Sequence, residues 1–407
     1  MSVETIHTLI VGGGQAGIAM SEHLSDRGID HLVLERDRLA EKWRTGRWDS
    51  LVANGPAWHD RFPNLSFEGV DPYAFAPKDR IVEYFEDYAR RIRMPIRCGV
   101  TVNAVTQLPD GRFRAETSEG VFEARNIVSA TGPFQKPVIP PLVPEEAGLV
   151  QIHSADYKNP GQLPEGAVLV VGAGSSGVQI ADELLRAGRK VFLSVGPHDR
   201  PPIRYRGRDF VWWLGVLGKW DMPVMAPGTE HVTIAVSGAR GGKTVDFRDL
   251  AARGMGLVGR AEGWRDGKLT FAGDLAANIQ AGDANYLSVL DEADAYLEAN
   301  GIDLPQEPEA RKIGPLPACA TTPVRELDVK AEGIASIIWA TGYALDFSWL
   351  QVPAFDDKGR PAHDKGVARV PGLYFVGMSW LSCRASAFIW GAWRDARRLA
   401  GHIAERG

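Results

Sequence analysis

Thr8-Leu-Ile-Val-Gly-Gly-Gly-Gln-Ala-Gly17 is the segment from which the architecture of this chain can be predicted. Its apolar run is long enough for a buried strand, and Gly12, Gly14 and Gly17 follow in the spacing G-x-G-x-x-G. The first glycine permits a tight turn, the second lets a pyrophosphate touch the backbone, and the third lets the next helix pack on the strand. The free N–H groups at that helix start bind the phosphate charge. The stretch therefore predicts a dinucleotide site.

An acidic residue at the end of the next strand supports this prediction. Glu35 closes a second apolar run, near the spacing of about 20 residues at which an acid binds a ribose hydroxyl. Glycine-rich turns also occur without a nucleotide. Here, however, a strand precedes the loop, an amphipathic run follows it, and Gly28 ends that run. The plain tight turn is the weaker interpretation.

Length and composition limit the class of protein. At 407 residues, the chain suits two or three interlocking domains, and 44% hydrophobic with 24% charged residues is ordinary for a globular protein. A net charge of −5 gives no electrostatic basis for binding nucleic acid. No apolar run approaches the membrane-spanning length of about 20 residues. The first strand begins too early for a signal peptide, so we predict no membrane span and a cytoplasmic location.

Cysteine and tryptophan usage add two weaker indications. Cys98, Cys319 and Cys383 are far apart and odd in number, which predicts neither a disulfide framework nor a dithiol centre. No His/Cys cluster has metal-ligand spacing, so we predict no metal. Twelve tryptophans favour a large aromatic-lined space, although ordinary core tryptophans are an equal alternative for any one of them.

The opening pattern returns in the second half of the chain. The apolar run from Val168 ends in Gly172, Gly174 and Gly177, and Gly188 stands where Gly28 stands in the first copy. Each copy continues into a short turn and a second strand. Two copies that agree in strand, loop, helix length and stop signal predict two dinucleotide-binding units.

The two copies differ where the ribose is bound. In place of Glu35 the second copy has Ser194, followed by Arg200, Arg204 and further basic residues. An acid repels a 2′-phosphate, whereas hydroxyls and arginines bind it. We therefore predict FAD at the first site and NADPH at the second. A solvated basic loop is the alternative for the arginines, which leaves NADH open.

The remaining segments complete an α/β prediction. Alternating residues in 96–129 predict a small antiparallel β meander, and helices are expected at 78–93, 283–300 and 386–402. The apolar stretch 209–225 would cover a substrate cavity or seal two domains together. We predict two Rossmann-like domains. The FAD domain comprises 1–145 and 318–407, and the inserted NADPH domain comprises 146–317, with a substrate-lid insertion around 200–280.

The order of these parts resembles the class B flavin-dependent monooxygenases of the flavin-containing and YUCCA-like type. The resemblance covers nearly the whole chain. Besides both glycine loops, the matching marks are Trp43, Asn54-Gly55-Pro56, Ala130-Thr131-Gly132, His153-x-x-x-Tyr157-Lys158, Ala340-Thr341-Gly342-Tyr343 and Pro371–Gly377. Ala147 and Leu149 depart from the family's Phe-x-Gly. Tyr157 stands where the Baeyer–Villiger group has tryptophan, which argues against ester formation from ketones.

By this resemblance NADPH reduces FAD, and the reduced flavin captures dioxygen as a hydroperoxide that oxygenates a small nitrogen, sulfur or α-keto/aromatic substrate. The resemblance gives Asn54 the role of hydrogen-bonding the peroxide and NADP⁺; its alternative is a turn asparagine, favoured before glycine. His153 and Tyr157 would fix the geometry of the linker. The helix after Ser382 would direct its positive end at the flavin.

The residues predicted to contact the cofactors are Gly12, Gly14, Gln15, Ala16, Gly17, Glu35, Arg36, Trp43, Trp48, Val102, Ala130, Thr131, Gly132, Gly172, Gly174, Ser175, Ser176, Gly177, Ser194, Arg200, Arg204, Ala340, Thr341, Gly342 and Gly377. An NAD(P)H:acceptor reductase without oxygen insertion is the alternative enzyme. A flavin-binding redox sensor is the alternative from another class. The oligomeric state is open, with a homodimer among the alternatives.

Overall fold

A computed structural model describes residues 3–223 and 233–406. The strands are β1 (Val3–Val11), β2 (His31–Glu35), β3 (Ile96–Cys98), β4 (Val102–Gln107), β5 (Phe113–Thr117), β6 (Gly120–Ser129), β7 (Lys136–Pro137), β8 (Val150–His153), β9 (Ala167–Val171), β10 (Val191–Ser194), β11 (Arg204–Tyr205), β12 (Arg208–Asp209), β13 (Gly256–Val258), β14 (Ala261–Arg265), β15 (Lys268–Phe271), β16 (Glu326–Asp328), β17 (Ile334–Trp339), β18 (Tyr343–Ala344), β19 (Leu350–Gln351), β20 (His363–Asp364), β21 (Val367–Ala368) and β22 (Leu373–Phe375).

Helices occur in both glycine-loop units and in the segments that connect them. They are α1 (Gln15–Ser25), α2 (Glu41–Arg44), α3 (Lys78–Arg91), α4 (Ser175–Arg186), α5 (Phe210–Val216), α6 (Phe247–Ala252), α7 (Leu275–Asn300), α8 (Ala318–Thr321), α9 (Val329–Glu332) and α10 (Ile389–Arg406).

The first unit is a ten-stranded sheet with β1 in its interior. β1 pairs in parallel with β2 and β6, and Ile10 lies between Val33 and Val128. β4, β5 and β6 form the predicted antiparallel meander, and β22 returns from the end of the chain to pair in parallel with β6. Two distant parts of the sequence therefore build one sheet.

The second unit repeats this arrangement with five parallel strands in the order β13-β10-β9-β17-β8. Its glycine loop joins β9 to α4, as the first joins β1 to α1. The predicted fold class, two Rossmann-like units with an antiparallel meander, is confirmed. The exact domain limits stay a prediction; β17, which follows residue 317, belongs to the second sheet.

The largest structural differences from the predicted helix boundaries lie at the starts of two helices, while α3 ends two residues early and α10 ends four residues late. α7 begins at Leu275, well before residue 283, because Gly282 lies inside the helix and does not end it. A Cβ at Gly282 would come within 2.6 Å of His198 Nε2, so glycine permits close packing there. At the other place, a 3₁₀ turn at Arg384–Ala387 precedes α10, and Phe388 lies exposed between them.

The two units share a core. Trp48 and Leu51 of the first unit pack with the apolar side chains of β9, α4 and β10 in the second. The backbone N–H of Asp49 also donates to the carbonyl of Lys158 at 2.8 Å. Burial of large aromatic side chains contributes strongly to such interfaces. The contact therefore fixes the first glycine loop relative to the second.

Within the described ranges, no helix is long and apolar enough to cross a membrane. The same part of the chain holds no group of three or more His, Cys, Asp or Glu residues arranged to bind a metal ion.

Candidate cofactor and active site

The first glycine loop is shaped by two close backbone approaches and one open position. Gly12 has φ +115°, and a Cβ there would lie 2.6 Å from the carbonyl oxygen of Ala130. A Cβ at Gly17 would lie 1.9 Å from the Gly12 carbonyl oxygen. Gly14 differs, because no described atom lies within 4 Å of its Cβ position. The loop therefore leaves space for a ligand to touch the backbone at Gly14.

The start of α1 offers free N–H groups beside this space. Among the described residues, no side chain caps the helix at Gly14. Gln15 links the loop to two other segments, since its Nε2 donates to the Ala387 carbonyl at 2.8 Å and its Oε1 accepts from Trp43 Nε1 at 3.4 Å. The helix start can therefore bind an anion, and the segment before α10 lies beside it.

Glu35 lies at the side of the loop where a ribose is expected. Its carboxylate accepts hydrogen bonds from Gly13 N at 2.6 Å and Asp37 N at 3.0 Å. Val100 N donates to the Glu35 carbonyl at 3.0 Å, which brings the start of the meander alongside. Arg36 is exposed and pairs with Asp37 at 3.1 Å. The carboxylate is thus fixed next to the glycine backbone.

Three further predicted contacts adjoin this loop. Ala130 N donates to the Val11 carbonyl at 2.9 Å, directly beside Gly12. Gln135 binds both Thr131 Oγ1 and the carbonyl of Gly132, which has φ +70°.

Gly377 brings the last part of the chain against the same helix. A Cβ at Gly377 would lie 2.5 Å from Cβ of Ala16. The other two predicted residues lie in packed regions: Trp48 is buried in the core that the two units share, and Val102 pairs with Thr117 in the meander.

The second glycine loop repeats the close approaches of the first. Gly172 has φ +111°, and its Cβ would lie 2.5 Å from the Ala340 carbonyl oxygen. A Cβ at Gly177 would lie 1.8 Å from the Gly172 carbonyl oxygen. Ala340 thus takes the place that Ala130 has in the first unit. Thr341 Oγ1 donates to the Val138 carbonyl, and Gly342 has φ +80°.

A short strip of chain, Thr233–Ile234, covers the second glycine loop, whereas no described atom lies over Gly14 in the first. The methyl group of Thr233 lies 3.3 Å from the Cβ position of Gly174. Ser175 Oγ donates to the Ile234 carbonyl at 2.8 Å, while Ser176 is half-buried beside it. The space that is open above Gly14 is therefore occupied by protein above Gly174.

Ser194 and the arginines after it are held by other groups of the protein. Ser194 is buried; its Oγ donates to the Gly259 carbonyl at 2.9 Å and accepts from Ala261 N at 3.1 Å. Arg200 is also buried and pairs with Asp283 at 2.8 Å.

The ion pairs of Arg200 and Arg204 indicate that these two arginines stabilise the fold. Although burial alone would raise it, hydrogen bonds from Arg248 and Arg200 lower the pKa of Asp283. Arg204 pairs with Asp209 at 2.7 Å. These arginines are not a free basic loop, and their binding of a 2′-phosphate stays a prediction.

Asn54 lies where the first unit meets α4 of the second. Its Oδ1 accepts a hydrogen bond from Gln179 Nε2 at 2.8 Å, and Gln179 also donates to the Val236 carbonyl at 2.9 Å. No hydrogen bond of the Asn54 Nδ2 occurs within residues 3–223 and 233–406. The side-chain amide is exposed, so its N–H groups can donate to a ligand between the units.

A chain of hydrogen bonds supports the Asn54 turn from behind. Gly55 N donates to Asp60 Oδ2 at 3.0 Å, Asp60 Oδ1 lies 2.7 Å from His59 Nδ1, and Trp390 Nε1 donates to His59 Nε2 at 3.0 Å. An indole nitrogen can only donate, so His59 carries its proton on Nδ1 and donates it to Asp60. The chain connects the turn to α10.

Aromatic rings surround His59. Trp220 stacks on it with ring centroids 5.2 Å apart, and Trp390 and Phe388 meet it edge-on at 5.7 and 6.4 Å. Trp220 comes from the apolar stretch 209–225, of which residues 224 and 225 lie outside the described ranges. It is buried against the segment before α10, so this stretch does join distant parts of the chain.

His153 and Tyr157 are held as structural groups. His153 Nε2 lies 3.0 Å from the Gly342 carbonyl, and its Nδ1 accepts from Ala155 N at 3.1 Å. Burial lowers the pKa of His153, which keeps it neutral. The buried Tyr157 hydroxyl donates to Glu183 at 2.8 Å, and burial raises its pKa. Both contacts fit the predicted role in linker geometry.

A cavity of about 50 Å³ lies between α5, α7 and the segment before α10. Its lining residues are Asp199, Pro201, Phe210, Trp213, Leu214, Leu217, Lys219, Ile234, Asn285, Val289 and Arg384. The residues predicted from sequence do not include Asp199, Arg384, His59, Asp60 or Trp390. The large number of tryptophans was the one sequence signal for them. The cavity lining and the hydrogen-bond chain through His59 are each assembled from segments far apart in sequence.

Comparisons with known proteins agree with this arrangement. Residues 9–202 match the pyridine nucleotide-disulphide oxidoreductase family model. An oxidoreductase of Geobacillus kaustophilus named CzcO-like, itself uncharacterized, is 32% identical over 98% of each chain. The indole-3-pyruvate monooxygenase YUCCA1 of Oryza sativa subsp. japonica is 29% identical over 91% of this chain and 86% of its own. A flavin-containing monooxygenase from Stenotrophomonas maltophilia shares the fold, with a TM-score of 0.68, 18% identity and 99% coverage of both chains.

Two glycine-loop units in one chain, joined through a shared core, are the architecture of a flavoprotein oxidoreductase. The chain belongs to the family of CzcO-like oxidoreductases. It is also similar to flavin-dependent monooxygenases, in sequence to a YUCCA enzyme and in fold to a flavin-containing monooxygenase.

Proposed function

We propose that the protein is an NADPH- and dioxygen-dependent monooxygenase that uses FAD to oxygenate a small nitrogen, sulfur or α-keto/aromatic compound. When bound, FAD supplies the activation of dioxygen and NADPH supplies the hydride. The first glycine loop fits FAD, because Gly14 is open and Glu35 stands beside it. The second loop has the same backbone shape, and a coenzyme there requires the strip at Thr233–Ile234 to move away from Gly174.

The contact between Asn54 and Gln179 is the observation that carries the proposal. It places a hydrogen-bond donor of the first unit against α4, whose N-terminus forms the second loop. An oxygenase needs such a fixed donor in a site that excludes water. Rigid support comes from the hydrogen-bond chain through Asp60 and His59, and the rings around His59 exclude water on that side.

The test is a substrate panel scored by NADPH consumption minus hydrogen peroxide release, with FAD-reconstituted protein. A thioether, a tertiary amine and an α-keto acid represent the three substrate classes. We expect at least one compound to be oxygenated, with less peroxide released per NADPH than in its absence. If every compound leaves NADPH consumption equal to peroxide release, and an added electron acceptor is reduced instead, the protein is an NAD(P)H:acceptor reductase.

A further inference from the structure

Two opposite charges face the cavity beside α5 without a partner. The carboxylate of Asp199 and the guanidinium of Arg384 both line it, and within residues 3–223 and 233–406 neither side chain forms a hydrogen bond or an ion pair. Both are only partly exposed. A desolvated charge without a partner costs free energy, so an arrangement that leaves two of them indicates a ligand that would satisfy both.

The two groups influence each other across the cavity. Burial raises the pKa of Asp199 and lowers the pKa of Arg384, and in each case the other group is the first charge that acts against burial. In the described part of the chain no ion pair joins the two side chains, so each charge is left for a ligand group of the opposite sign.

Among the described residues, the rest of the cavity lining is largely apolar and carries no further unpaired charge. Phe210, Trp213 and Leu214 are part of this apolar lining. Lys219 is paired with Glu292 at 2.5 Å, so its charge is already balanced. A ligand that binds here therefore presents its charges to Asp199 and Arg384 and an apolar part to the aromatic side chains.

The cavity is also close to the second glycine loop. Ile234 lines it, and the Ile234 carbonyl accepts the hydrogen bond from Ser175 at the start of α4. Asp199 is attached to the same strip, because Ala235 N donates to its carbonyl at 2.8 Å. A molecule in this cavity lies next to the coenzyme site.

We propose that the cavity binds a small zwitterion, with its ammonium group on Asp199 and its carboxylate on Arg384. At about 50 Å³ the cavity holds roughly four water-sized groups, which favours a short molecule. An arginine fork suits a carboxylate because it can donate two parallel hydrogen bonds. That this zwitterion is a substrate rests on the proposed function; its binding does not.

The experiment compares three thioethers that differ only in their charged groups. S-methyl-L-cysteine carries both charges, 3-(methylthio)propionate lacks the amine, and 2-(methylthio)ethylamine lacks the carboxylate. Calorimetric titration of the FAD-reconstituted protein should show the zwitterion binding about 10-fold or more tightly than either analogue, because each charged hydrogen bond contributes to affinity. Equal affinities for the three compounds would overturn the proposal, and this comparison needs no variant.

Variants then assign each charge to its residue. Arg384→Met should weaken the zwitterion and the acid about 10- to 100-fold and leave the amine unchanged, whereas Asp199→Asn should weaken the zwitterion and the amine but not the acid. Arg397→Met and Asp303→Asn, both at exposed positions, are the matched controls and should bind all three compounds normally. An effect of Arg384→Met on the KM for NADPH alone would overturn the assignment, because it would place the nicotinamide in the cavity.

Product analysis separates this proposal from the proposed function. If the zwitterion binds selectively but no thioether is oxygenated, the binding site stands and the monooxygenase proposal fails. If all three thioethers are oxygenated with equal affinity, the monooxygenase proposal stands and the zwitterion site is refuted.

Discussion

Replacing Gly14 with aspartate should remove flavin binding and leave the fold intact. Gly14 has φ −88° and ψ −170°, a conformation open to any residue, and no described atom lies within 4 Å of its Cβ position. Aspartate is also a good N-cap residue, so α1 should gain a few tenths of a kcal/mol relative to glycine. The free energy of unfolding of the apoprotein should therefore stay nearly constant.

The effect on flavin affinity is large because the new carboxylate lies beside the pyrophosphate. Two unit charges about 4 Å apart repel by about 4 kcal/mol at an effective dielectric constant of 20. That corresponds to about a 1,000-fold loss of affinity. Gly14→Ala, which adds a methyl group and no charge, separates the steric part of this loss from the electrostatic part.

The assay is titration of apoprotein with FAD, followed by flavin fluorescence, beside thermal unfolding of the same samples. Gly17→Ala serves as the contrasting variant, since its Cβ would lie 1.9 Å from the Gly12 carbonyl oxygen and should destabilise the fold by more than about 3 kcal/mol. A Gly14→Asp protein that binds FAD with unchanged affinity would refute the assignment of the first loop.

Four further predictions follow from contacts in the site. Asn54→Ala should keep FAD but release more hydrogen peroxide per NADPH, measured with a peroxide assay; unchanged coupling would remove Asn54 from the active site. Trp390→Phe leaves His59 Nε2 without its donor and should lower the free energy of unfolding by about 1–3 kcal/mol in denaturant titration, whereas an unchanged value would show that the chain through His59 is not structural. Arg200→Met should cost about 1–3 kcal/mol of stability, because Asp283 loses one of its two arginine partners and keeps Arg248; a loss confined to NADPH affinity would instead make Arg200 a coenzyme ligand. Burial lowers the pKa of His7, His23, His31, His153, His198 and His363. Stability should therefore fall as the pH drops below about 6.5, because the unfolded chain binds protons first; urea titrations across this range that show constant or rising stability would contradict this prediction.

The two glycine loops could be predicted because their function depends on local backbone geometry. Gly12 and Gly172 each adopt a positive φ, which favours glycine. A Cβ at Gly17 or Gly177 would clash with a carbonyl oxygen of the same loop. Short-range steric limits therefore require glycine at these positions, and the requirement is visible in the sequence. The meander was predictable for a similar reason, since period-2 alternation between turn signals reflects the pleat of a strand.

The arginines after β10 show where such reasoning stops. From sequence alone, Arg200 and Arg204 formed a basic run after the strand where a 2′-phosphate is expected. Their partners are Asp283 and Asp209, and Asp283 comes from a helix that begins far along the chain. A charge pattern shows how many cations a loop has, but not which carboxylates the fold brings to them.

The amino-acid sequence was sufficient to predict two glycine-loop units, their order along the chain and the positions of their glycine turns, because these properties follow from periodicity and allowed backbone angles over about ten residues. Three features depend on tertiary packing: the contact of Asn54 with α4, the strip at Thr233–Ile234 over the second loop, and the meeting of Asp199 and Arg384 in one cavity lining. These contacts join residues more than a hundred positions apart or on separate segments. Their formation depends on how whole units pack, and packing is set by the sum of many weak contacts that no single stretch of sequence contains.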